Sequence, residues 1–155
     1  MVKPCATQHA EPDQDAVRDT AIIFRRAILR CPRTDLPTLK DFPRSSCGDT
    51  AILLGEYFYS RSLGLWEYVA GSRKQDLHSH AWIEQGGLII DITADQFEDV
   101  DEPVVVTRDR QWHAQFAYLA PSHPAQIGDY DPGTQRWLRP IYKRIQDCPL
   151  SDLST

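Results

Sequence analysis

Three residues of this chain have types and positions suited to covalent chemistry at a carbonyl: Cys47, His80 and Asp91. Cys47 directly follows Ser46, where a helix is predicted to begin. A thiol in the first turn of a helix meets unpaired backbone N–H groups and partial positive charge, which favour the thiolate and arm it as a nucleophile. The same N–H groups can receive an oxyanion. His80 and Asp91 flank the pair Gly86-Gly87, a strong signal for a two-residue hairpin. Centring the turn there sets His80 opposite Thr93 and Trp82 opposite Asp91. Side-chain alternation then gives one apolar face, Ala81, Ile83, Leu88, Ile90 and Ile92. The other face carries His80, Trp82, Glu84, Ile89, Asp91 and Thr93. His80 and Asp91 become diagonal neighbours within side-chain reach. A slip of one residue would separate them, but it would also scramble the apolar face. A thiolate, an imidazole and a carboxylate that orients the imidazole make a nucleophile, base and orienter.

The elements that must position these groups can be read from periodicity. Residues 15–30 predict a helix, with Val17, Ala21, Phe24, Ala27 and Ile28 on one face and Pro32 beyond its end. Residues 31–46, with Pro32, Pro37 and Pro43, predict an irregular connector holding one helical turn near 36–41. A second helix is expected from a cap at Ser46, with Asp49 completing a capping box, to Leu63 and a left-handed Gly64. Its stripe is Cys47, Ala51, Leu54 and Phe58. Strands are expected at 65–70, 80–85, 88–93 and 103–107, and more weakly at 115–120. A last helix is expected at 134–146, with Trp137, Leu138, Ile141, Tyr142 and Ile145 on one face and Pro140 kinking it or marking its start. Helices, then antiparallel strands, then a helix make an α+β domain over 15–155, preceded by a loose arm at 1–14.

Composition narrows the partners. The chain has 155 residues and net charge −5, enough for one compact domain and adverse to binding phosphate backbones, so nucleic acid is not an expected partner. No apolar run reaches membrane-span length and no secretory signal is visible, so a cytoplasmic protein with no membrane partner is expected. The four cysteines, Cys5, Cys31, Cys47 and Cys148, are irregularly spaced. In a reducing compartment they are expected to be free thiols.

The segments Arg44-Ser-Ser-Cys47-Gly-Asp, His80-Ala-Trp82-Ile-Glu84 and Gly87-Leu-Ile-Ile-Asp91-Ile-Thr93 resemble the transglutaminase-like branch of the papain-like cysteine enzymes. The resemblance covers about residues 42–97. It implies a papain-like fold, N-terminal helices packed on an antiparallel sheet, with Cys47, His80 and Asp91 as a triad that acts on an amide bond through a thioester. The branch includes peptidases, deamidases and transamidases, so a protein or peptide substrate is expected. No cofactor is implied. Trp66, Tyr68, Trp82 and Trp112 are candidates to line the substrate site, and Trp66 or Tyr68 to donate a second oxyanion hydrogen bond.

Two other classes compete. One is a binding module that retains the fold without catalysis, against which the intact Cys, His and Asp argue. The other is a metal protein built on His78-Ser-His80, which needs further ligands from Cys47, Asp91, His113 or His123; no metal site is expected on that count. Asp49 and Asp95 are alternative carboxylates, but Asp49 suits a helix start and Asp95 lies past the strand. Trp112-His113 near Phe116 can line a cleft or pack on the sheet, and packing is the more ordinary use of aromatics.

Overall fold

A computed structural model describes residues 11–148. The expected arm at 1–14 and the thiol of Cys5 fall mostly or wholly outside the described residues.

The first helix, α1, spans Gln14–Arg30 and is capped by Asp13, whose carboxylate accepts from the N–H groups of Asp15 and Ala16. It buries Val17, Ala21, Phe24, Ala27 and Ile28, the predicted face. It also buries Arg25, which periodicity alone does not suggest. The Arg25 guanidinium holds Asp95 at 2.7 Å and the carbonyls of Ile92 and Pro103. It thereby ties α1 to the chain that follows Asp91, and it occupies the Asp95 carboxylate. The proline-containing connector forms the expected turn, at Pro37–Leu39.

The second helix, α2, spans Cys47–Ser60. It ends three residues before the expected Leu63. Gly64 is left-handed as expected, at φ 89°, but the left-handed residue that closes the helix is Ser62, at φ 61°. The N–H of Leu63 reaches the carbonyl of Phe58 and that of Ser62 reaches Tyr59, a Schellman closure.

The sheet comprises β1 (Glu67–Ser72), β2 (Ser79–Gln85), β3 (Leu88–Asp91), β4 (Val105–Thr107), β5 (Tyr118–Leu119) and β6 (His123–Pro124). Its order is β4-β3-β2-β1-β5, with β6 also on β1, and every pairing is antiparallel. The hairpin register is the predicted one, Ile83 opposite Ile90 and Gln85 opposite Leu88. Gly86 and Gly87 take φ of 54° and 80°, the paired positive values a type I′ turn requires.

The two faces of the hairpin separate as read. Ala81, Ile83, Leu88, Ile90 and Ile92 join the main core with α1 and α2, while Trp82, Ile89 and Phe116 form a second apolar layer on the other face. The last helix, α3, spans Pro132–Asp147, starting at an Asp131 cap and continuing through Pro140. Leu138, Ile141 and Ile145 are buried, but Trp137 is 52% exposed, so it does not share their face as expected. Cys31 and Cys148, at the C-terminal ends of α1 and α3, form a disulfide, which corrects the expectation of free thiols at these two positions. The described architecture is α+β, helices against an antiparallel sheet. Among the described residues no helix is long and apolar enough to cross a membrane.

Candidate active site

The first turn of α2 delivers Cys47. Ser46 gives its carbonyl to the N–H of Thr50, beginning the helix. Its hydroxyl donates to the carbonyl of Pro43 at 3.2 Å and does not cap the helix, so the expected capping box with Asp49 does not form. Among the described residues no side chain covers the N–H groups at the start of α2, leaving the helix end beside Cys47 open to an anion. Cys47 is partly exposed and opens on a cleft bordered by Thr38, Ser45, Asp49, Ser79 and Gln96.

His80 sits on β2 with 1% of its surface exposed, and Asp91 at the end of β3 is equally buried. Their side chains meet as the register requires: His80 Nε2 donates to Asp91 Oδ2 at 2.7 Å. The rings of Trp82, Phe97, Trp112 and Phe116 surround His80 with centroids 5.1–5.8 Å away. The other ring nitrogen, Nδ1, has the Gln96 amide at 3.4 Å; that amide also donates to the carbonyl of Thr93 at 3.0 Å.

Electrostatics couple these groups. Burial alone would lower the pKa of His80, but the Asp91 charge and hydrogen bond, with a further contribution from the Cys47 side chain, push it up to about 9. Asp91 shows the complement. Burial favours its neutral form, yet the His80 charge and the donors His113 and His80 hold its carboxyl well below the ordinary range. At neutral pH this favours an imidazolium on a carboxylate, with the Cys47 side chain near the imidazole.

Sequence reasoning did not place His113 on Asp91. His113 lies in a single-turn helix, His113–Gln115, and its Nε2 donates to the same Oδ2 at 2.8 Å. Oδ1 accepts from the N–H of Thr93 at 3.0 Å and its hydroxyl at 3.4 Å. Asp91 thus receives four donors. Gln96 was likewise missed as a neighbour of His80. Neither contact has a periodic signal, because both residues reach the hairpin from irregular segments.

The atoms of His80, Asp91 and His113 that can bind metal lie within 4.8 Å of one another. Both Nε2–Oδ2 separations, 2.7 and 2.8 Å, are hydrogen-bond distances. Ligand atoms around a tetrahedral zinc stand about 3.3 Å apart. The arrangement fits hydrogen bonding better than ligation. His78, 67% exposed beside Asp76, is not in this cluster.

The expected substrate-site aromatics separate in space. Tyr68 lies at the start of α2: a Cβ placed on Gly48 would stand 3.2 Å from its hydroxyl. Burial, then the charges of Cys47 and Asp49, raise the Tyr68 pKa, keeping the hydroxyl protonated and able to donate. Trp66 is fully buried and gives its indole N–H to the carbonyl of Leu63 at 3.0 Å. Trp82 gives its own to Glu84 at 2.8 Å and packs in the second apolar layer. Trp112 bonds Asp99 and borders a separate groove beneath α1, near Arg18 and Val104, rather than the Cys47 cleft.

Compared with known proteins, the chain matches no family model, and no curated protein or solved structure is significantly similar to it.

Proposed function

We propose that the protein is a cysteine-dependent acyl-transfer enzyme acting on an amide bond of a protein or peptide, with a papain-like fold of the transglutaminase-like kind. The observation that carries this reading is the buried His80–Asp91 pair at 2.7 Å, its imidazole drawn toward the charged form by both Asp91 and the Cys47 side chain. A solely structural His–Asp pair has no need of a thiol on the first residue of an uncapped helix.

On this reading the Cys47 thiolate attacks the acyl carbon. The developing oxyanion falls near the free N–H groups of the α2 start, with the Tyr68 hydroxyl as a nearby second donor. The C–N bond breaks as imidazolium His80 gives its Nδ1 proton to the departing amine, leaving a thioester on Cys47. His80, now neutral at Nδ1, takes a proton from the incoming water or amine, which attacks the thioester. That returns the proton to His80 and releases acid or new amide with the thiolate restored. Asp91 holds Nε2–H throughout. The Gln96 amide at 3.4 Å from Nδ1 is best placed to accompany the neutral imidazole.

The test is to incubate the protein with amide and glutamine-containing peptide libraries, quench in acid, and measure intact mass. An acyl adduct that maps to Cys47 and is absent in Cys47→Ala supports the reading. Turnover that persists in Cys47→Ala overturns it.

A further inference from the structure

His113 is 3% exposed, and its Nδ1 has no hydrogen-bond partner among the described residues. The contact of its Nε2 with Asp91 is therefore the only hydrogen bond fixing this ring among the described residues. It is a costly way to fill an apolar layer, since a buried ring nitrogen is left unsatisfied. The rings of Trp82 and Trp112, each 4.8 Å away, supply packing that a phenyl group could equally receive. What a phenyl group could not supply is the donor to Oδ2.

We propose that His113 is a positioning residue for the Cys47–His80 couple: it fixes the Asp91 carboxylate and shares the oxygen that His80 uses. This rests on the acyl-transfer reading. Two N–H donors on Oδ2 at 2.7 and 2.8 Å divide that oxygen's charge between two imidazoles. With Thr93 on Oδ1, the carboxylate cannot turn away from β2. The titratable groups facing His80 are Cys47 from α2 and Asp91 from β3, with His113 behind Asp91. The Arg73 guanidinium stacks on Phe97 and Phe116, the rings that also pack against His80. Removing the His113 donor should leave more of the Asp91 charge to His80, favouring the imidazolium.

The experiment follows the His80 imidazole by ¹⁵N-edited NMR against pH in the full chain, in wild type, His113→Phe and His113→Asn. The His80 midpoint should rise in His113→Phe by roughly half a pH unit. It should return toward wild type in His113→Asn, which keeps an N–H donor. A folded His113→Phe protein whose midpoint stays within about 0.2 units of wild type overturns the inference. Should His113→Phe fail to fold, the wild-type spectrum decides: a protonated His113 Nε2 with a downfield proton is expected, and an unprotonated Nε2 overturns the proposal. Ordinary thiol reactivity of wild-type Cys47 would sink the acyl-transfer reading instead, without altering what the His80 midpoint says of His113.

Discussion

At the scale of single residues, the His80–Asp91 pair links chemistry to stability. The folded protein holds the His80 pKa at about 9, above its ordinary 6.5. Stability from this shift is complete below the unfolded value and is lost as pH rises through about 9. Linkage sets it at up to about 3 kcal/mol, shared with Asp91 rather than added to it. Asp91 is held low, so its share is present above the ordinary carboxylate range and is lost in strong acid. Denaturant melts should therefore show stability falling between roughly pH 6.5 and 9, a slope that His80→Ala removes. A flat profile in wild type would contradict the coupling. On the proposed mechanism, Cys47→Ala abolishes transfer and His80→Ala loses about 10²–10⁴-fold in rate. Asp91→Asn should be milder in rate than either. It should still lower stability by about 3–5 kcal/mol, because it breaks a buried, fully bonded charge. Double variants should lose far less than the product of the singles, since the residues act as a unit; purely multiplicative losses in kinetic assays would count against a single machine.

At the scale of elements, the hairpin was legible because two constraints agree. Gly86-Gly87 fixes the loop, and the alternation of Ala81, Ile83, Leu88 and Ile90 fixes which side faces the core. Together they bring His80 to Asp91 without reference to the rest of the chain. The cap at Ser46 was not legible. The hydroxyl has a competing acceptor in Pro43, supplied by a turn that pattern reading does not resolve. His113 was invisible in its role because it reaches Asp91 across a 22-residue separation and an irregular segment. The seating of α2 depends on Gly55, where a Cβ would stand 2.4 Å from both the Cβ and the carbonyl oxygen of Ala125. Gly55→Ala must push α2 from the 123–127 segment. We expect a loss of about 1–3 kcal/mol from overpacking, with slower alkylation of Cys47 because its helix has moved. Thermal unfolding and a thiol-labelling rate measure both, and unchanged values would show that α2 is not held by this contact.

At the scale of the whole molecule, the ends of α1 and α3 are stapled by Cys31–Cys148 across a sequence separation of 117. No spacing pattern announces a pair so far apart, and the reading of both as free thiols rested on an assumed reducing compartment. The bond bears on that assumption, since disulfides persist mainly in oxidising surroundings. In the chain-entropy account, closing a loop of this size stabilises by about 4–5 kcal/mol. Cys31→Ser with Cys148→Ser should lower the unfolding midpoint markedly while leaving Cys47 labelling intact, because the staple lies away from the α2 start. A non-reducing peptide map should recover the two cysteines linked; free thiols at both positions would contradict the pairing.

Whether Cys47 and His80 form a thiolate–imidazolium couple is read from the pH dependence of Cys47 alkylation. Labelling by iodoacetamide is followed at the Cys47 peptide from pH 4 to 10 in wild type and in His80→Ala. At acid pH, wild-type Cys47 should be alkylated much faster than the same residue in His80→Ala. In His80→Ala that acid-range reactivity should be lost. Identical pH–rate profiles for Cys47 in the two proteins would show that no such couple exists.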